Sequence, residues 1–326
     1  MSSRYISLLK SIGSNIAIYG GFVVLLMGVI GGLLNLTVFL TLRTFRRNSC
    51  ALYLTIMSIF NIGQLCTGLL PRIFLYAYGS DGTGASLFYC KFRLYFSHIC
   101  VMISLTCFCL ATIDQYCATA HWACLKRMCH FRVALSLVFV FSLVWILHGI
   151  PYAVFNNHVI ANGTNKVSCE MTNAFYIQYR TYFIVLILLG FLPFSVTASF
   201  GSMSYGNIRR TSRDTVPIAR RELDKQLTVM VLVQVLANFF TLLPYTIVNI
   251  LSLNAERSDD RLFRAKLQLA SHITLMLYYV YYANSFYVYV CTSKRFRRQL
   301  IYVLFRIPLT QSQQWMRKLT NQIIPQ

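Results

Sequence analysis

The chain has 326 residues, 56% of them hydrophobic and only 12% charged, with a mean hydropathy of +0.56. Soluble domains carry about twice that charged share, so the composition excludes an ordinary soluble protein and points to a membrane one. The formal net charge of +21 does not imply nucleic acid, because basic residues flanking apolar spans are what insertion and anionic inner-leaflet lipids select.

A hydrocarbon core about 30 Å thick needs about 20 apolar residues of helix. Seven stretches free of Asp, Glu, Lys and Arg reach that length. They run from Ser11 to Leu42, Asn48 to Pro71, Leu94 to Ile113, Val133 to Asn165, Thr181 to Ile208, Gln226 to Ala255 and Leu267 to Ser293. Barrel strands would be shorter and alternate in polarity. The expected fold is an all-α membrane protein, a seven-transmembrane helix bundle.

Residues 1–16 form a short outer segment ahead of the first span, which begins near Ala17 and is too long for a signal h-region. Residues 17–293 hold the seven spans. The fourth apolar stretch outruns the membrane, since Asn156-Asn157-His158 and Asn162-Gly163-Thr164 are polar. Beyond the last span, residues 294–306 place Phe296, Leu300, Val303 and Leu304 on one helical face among Lys294, Arg295, Arg297 and Arg298. That pattern predicts a short amphipathic cytoplasmic helix lying in the membrane interface. Residues 307–326 make a polar cytoplasmic tail.

An outside N-terminus puts 19 of the 30 Lys and Arg residues on the cytoplasmic side, the sense of the positive-inside rule. With that orientation, nine of the eleven cysteines lie in spans or inside, and only Cys90 and Cys169 face the oxidising compartment. A pair alone in the compartment that permits disulfides predicts a bond between them. Asn162-Gly163-Thr164 on the same outer loop fits a glycosylation sequon at Asn162.

The third span carries Asp114-Gln115-Tyr116 at its inner end, 24 residues after Cys90. This resembles the rhodopsin-like (class A) G-protein-coupled receptors, whose third helix starts with the disulfide Cys and ends in Asp-Arg-Tyr. Other landmarks follow in register: Gly32 and Asn35, Asn61, Trp145, Pro193, Pro244, and Ser285 to Tyr289 as a variant of Asn-Pro-x-x-Tyr. The resemblance covers residues 20–306. It implies a plasma-membrane receptor that passes an extracellular signal to a heterotrimeric G protein.

Three departures bear on mechanism. Gln115 replaces the family's Arg, while the acid it pairs with is present as Asp224. A Gln–carboxylate contact is weaker than an Arg–carboxylate pair, so either the resting lock is looser or coupling is impaired. Leu242 replaces the sixth-span Trp and Asn238 its aromatic neighbour, with Phe239 and Phe240 nearby to pack instead. The family's sodium site maps to Asn61, Ser104 and Ser285, all neutral. Without an anion a buried cation is poorly compensated, so the expectation is no metal, and a polar cluster of these residues with Asn35.

The resemblance also constrains the ligand. Ser97 stands where amine receptors keep their Asp, and Tyr279 where opsins keep their retinal Lys. Arg72, Lys91, Arg93, Lys166, Arg180 and Arg264 surround the mouth, with Tyr76, Tyr78 and Tyr95 among its aromatics. Such a mouth suits a peptide with an acidic group or free C-terminal carboxylate, or a lipid acid; the alternative is that Arg72 snorkels to the interface and the tyrosines form an interfacial belt. The pocket candidates are Arg72, Ser97, His98, Tyr245, Asn249, Tyr278 and Tyr279. No cofactor or catalytic cluster is expected. The rival functions are a receptor-like decoy, which Gln115 keeps open, and a transporter, against which stand the lack of a repeat and of intramembrane acids.

Overall fold

Backbone polar groups inside a bilayer must be satisfied within their own segment, which favours helices, and the chain is almost wholly helical. The computed structural model describes residues 2–46, 48–120, 122–160, 167–210, 218–255 and 260–306. The main helices are α1 (Arg4–Thr41), α2 (Ser49–Tyr78), α3 (Leu87–Thr119), α4 (Phe131–Phe155), α5 (Ala174–Ile208) and α6 (Ile218–Ala255). A seventh, α7, runs Arg261–Ala283, breaks at Asn284 and resumes over Ser285–Thr292. The first six contain spans long and apolar enough to cross a membrane. The seventh is more polar because its buried face carries His272, Thr274 and the tyrosines at 278, 279, 281 and 282.

Helix starts are set by side-chain caps. Asn48, Ser86, Asn173, Asp260 and Ser293 each accept a backbone N–H from two or three residues ahead, satisfying donors that a helix N-terminus leaves orphaned. Ser293 opens α8 (Lys294–Ile301), the expected amphipathic helix. Its Phe296 is fully buried, with its ring 5.9 Å from those of Phe39 and Tyr289.

Helix α1 is already formed at Arg4 and runs without a break into the span expected from near Ala17. Arg4 and Lys10 are unsuited to hydrocarbon but not to a helix, so charge marks the membrane edge and not the helix end. This outer part packs on α7: a Cβ at Gly13 would come within 2.6 Å of the His272 ring. The fourth helix ends at Phe155, and the polar run after it pairs as an antiparallel hairpin, β1 (Asn156–Ile160) with β2 (Val167–Met171).

Helix α3 contacts α2, α4, α5 and α6. Inside the structure, 67% of its apolar window is buried against 11% for α4, so α3 is the central post and α4 a peripheral one. The Cys90–Cys169 disulfide, Cα to Cα 5.8 Å, ties the outer end of α3 to β2.

Candidate functional site

A cavity of about 400 Å³ opens among the outer halves of α2 to α7. All seven pocket candidates line it: Arg72, Ser97, His98, Tyr245, Asn249, Tyr278 and Tyr279. Of the mouth cations, Arg93 and Arg180 also line it; Lys91 and Arg264 are not among the lining residues. Lys166 and the sequon Asn162 lie outside the described residues. Among the described residues, none of those lining it is Asp or Glu.

The floor is a hydrogen-bonded chain. Ser97 donates to Gln64 Oε1 at 2.7 Å, Gln64 Nε2 donates to the Tyr278 hydroxyl at 3.4 Å, and Tyr282 donates to the same hydroxyl at 3.0 Å. Tyr245 packs on Tyr278 with ring centroids 4.6 Å apart. Arg72 sits beside the Tyr279 hydroxyl. Gly68 makes room for both groups: a Cβ there would lie 2.8 Å from Gln64 Nε2 and 3.1 Å from the Tyr279 oxygen. Gln64 was not singled out from the sequence. Its signal is a buried amide inside an otherwise apolar span, which lipid tolerates only when the group is partnered.

On the far wall, His98 stacks on Tyr152 at 4.6 Å, its Nε2 lies 3.0 Å from His148 Nδ1, and His148 Nε2 lies 3.0 Å from the Tyr179 hydroxyl. His98 is therefore both packed and part of the cavity surface. Of the mouth aromatics, Tyr76 packs on His272, Tyr95 donates to the Ile146 carbonyl, and Tyr78 is exposed.

Arg93 differs from the other two cavity arginines in having a carboxylate. It pairs with Asp81 and donates Nε–H to the Thr67 carbonyl at 3.2 Å. Burial alone would raise the Asp81 carboxyl, but hydrogen bonds from Thr83 and Arg93 outweigh it and hold it below the usual carboxylate range. His158 Nε2–H donates to the Thr83 carbonyl at 2.7 Å, joining this turn to β1. A carboxylate with a lowered folded pKa gives its stabilisation fully above the unfolded value and loses it as pH falls through the folded one. Thermal stability of the purified protein should therefore not lose the Asp81 contribution between pH 7 and pH 5, while Asp81→Asn should lower the melting temperature by a few degrees at either pH. Equal melting of parent and variant at pH 7 would show that the pair holds nothing.

At the cytoplasmic end, Asp114 accepts from the Ser49 hydroxyl with both oxygens, at 2.7 and 2.8 Å. Gln115 is 1% exposed, and its Oε1 accepts from Thr228 of α6 at 3.0 Å. Thr228 lies one turn inward from Asp224, whose side chain is outside the described residues. Among the described residues, the hydrogen bond joining α3 to α6 here is thus a neutral one. Tyr116 packs on Phe200, and Tyr289 is fully buried between Phe39 and Phe296.

The core polar residues form two pairs and not one cluster. Asn35 Nδ2 donates to Ser285 at 3.2 Å, and Ser104 donates to Asn61 at 2.5 Å. Beside them Gln234 Nε2 donates to Asn238 at 2.8 Å and to Asn284 at 2.6 Å, so Gln234, held by Asn238 on its own helix, ties α6 to the break in α7. Trp145 donates to Thr106 at 2.8 Å. Phe239 packs on Phe194 at 4.7 Å, whereas Phe240 is 69% exposed and does not join the core. Among the described residues no group of three or more His, Cys, Asp or Glu could hold a metal ion.

The sequence model of the family described as 7 transmembrane receptor (rhodopsin family) matches residues 33–287. No curated protein matches the chain.

Proposed function

The chain belongs to the rhodopsin family of seven-transmembrane receptors, and from that premise we propose that it is a plasma-membrane receptor converting the binding of an extracellular peptide into activation of a heterotrimeric G protein. The observation that carries the ligand class is the charge of the outer cavity. Arg72 and Arg180 face it, Arg93 is already paired with Asp81, and none of the described lining residues is acidic. A desolvated carboxylate finds charge-assisted donors there, with Tyr245, Tyr278 and Tyr279 to pack beside it. The peptide therefore carries an acidic side chain or a free C-terminal carboxylate.

A hydrogen bond to a charged group contributes about 1.5–3 kcal/mol. Arg72→Gln and Arg180→Gln should each shift the half-maximal concentration of such a peptide upward by roughly ten- to a hundredfold. C-terminal amidation, or neutralisation of the acidic side chain, should shift the parent equally and the variant hardly at all. The measurement is G-protein activation in cells expressing the full chain, with peptide libraries as probes. Peptides that act equally with and without their carboxylate would remove the charge argument.

A second reading rests on Gln115, which leaves the cytoplasmic end of α3 without the family's cation: the protein binds its ligand and does not couple. Binding without activation in the parent, restored by Gln115→Arg, would establish that reading in place of the first. Substrate uptake or ion current without G-protein activation would replace both with a transporter.

A further inference from the structure

A second cavity, of about 260 Å³, lies between α3, α5 and α6. Its walls come from Leu105 and Phe108 of α3 and from the middle turns of α5 and α6, including Gly190, Pro193, Phe239 and Leu242. It is therefore near the bilayer midplane. Three of the four polar side chains in its wall are engaged elsewhere. Thr197 donates to the Pro193 carbonyl at 2.7 Å, Thr246 to the Leu242 carbonyl at 3.1 Å, and Asn238 accepts from Gln234 at 2.8 Å. The Tyr281 hydroxyl is buried and, among the described residues, has no hydrogen-bond partner. What faces the space is almost all hydrocarbon.

Its rim decides what can enter. Phe191, Phe194 and Leu243 line the cavity and are 69%, 44% and 41% exposed. On spanning helices such residues face lipid, so the mouth opens into acyl chains and not into water. Leu189, 5% exposed, lines this cavity and the outer one as their common wall.

An apolar void beside a fluid hydrocarbon phase forfeits dispersion contacts that a chain entering it restores. A water takes up roughly 30 Å³ of liquid volume and a methylene is of similar size, so the space holds a run of about nine such groups. That matches the middle of one acyl chain and is too little for a rigid sterol ring system. We propose that this cavity binds one acyl chain of a bilayer phospholipid, inserted between α5 and α6 against α3. The chain then forms part of the α5–α6 contact, next to the Phe194–Phe239 pair. This assignment does not depend on which ligand the outer cavity takes.

The test uses the full chain in nanodiscs of phosphatidylcholine, a fraction of which carries a diazirine at mid-chain. After irradiation, cross-links are mapped by mass spectrometry. The expected result is labelling of Leu186, Phe191 and Leu243, 37%, 69% and 41% exposed, several-fold denser than that of Phe139 and Leu143 on α4, 69% and 49% exposed. Leu242→Trp and Gly190→Leu, which fill the space, should each abolish the excess and leave α4 labelling unchanged. Equal density on α4 and around the cavity in the parent overturns the proposal, even if neither variant folds. So does an excess that survives both variants, or one that a photoactivatable sterol shows and phosphatidylcholine does not.

Discussion

Replacing either Cys90 or Cys169 with serine is expected to cost the fold about 4–5 kcal/mol. The bond closes a loop with a sequence separation of 79. Loop-closure entropy for that length gives about 4.5 kcal/mol at 25 °C. Folded proteins hold about 5–15 kcal/mol in total, so the loss is a large fraction. The loop contains all of α4, the helix with the least burial of its apolar window, and the bond is the covalent tie between the central post α3 and the outer hairpin. The melting temperature in detergent should fall by roughly 10 °C. The double variant should melt with the single ones, because each removes the same bond. Single variants that melt with the parent would show that the noncovalent ties, His158 to Thr83 among them, suffice to hold this face.

Thr228→Val is expected to raise ligand-independent G-protein activation about tenfold. Valine keeps the shape of threonine but cannot donate, so it removes the bond at 3.0 Å to Gln115 Oε1. Gln115 is buried, and leaving a buried acceptor without its donor costs about 1–3 kcal/mol. That cost falls on the arrangement in which α3 and α6 are in contact, and each 1.4 kcal/mol is a factor of ten in the balance between two states. Replacing both partners with apolar groups is close to neutral. Gln115→Leu combined with Thr228→Val should therefore return basal activity toward the parent level, a coupling that neither single change shows. Basal activity is read per copy of protein at the cell surface. If Thr228→Val leaves it unchanged, the Gln115–Thr228 bond does not hold the resting state.

Several features of the site could be read from residue order, for a physical reason in each case. Cys90 and Cys169 stood out because two compartments separate the cysteines by chemistry. Arg72, Ser97, His98, Tyr245, Asn249, Tyr278 and Tyr279 stood out because the family resemblance and the basic, aromatic outer half-spans put them at the mouth. Gln64 did not, although it is the junction between Ser97 and Tyr278, because its role depends on two side chains from other helices. Arg93 looked like Arg72 in the sequence, but Asp81 pairs with it and changes what it offers a ligand. Phe240 looked like Phe239, yet one residue is a rotation of about 100° around a helix, which puts it on the lipid side.

The amino-acid sequence by itself determined that this protein is a seven-helix membrane bundle with an outside N-terminus and an amphipathic inner helix. Those properties follow from hydropathy, length and charge, which act locally along the chain and are present in residue order. Only the tertiary structure decided that Asn35 meets Ser285 across 250 residues and Asn61 meets Ser104, that Gln115 reaches Thr228, and that an apolar cavity opens beside Leu242. Such pairings depend on the rotation and tilt of each helix. Packing of whole faces sets these, through close approaches such as Gly28 on α1, where a Cβ would lie 2.9 Å from that of Ala283 on α7.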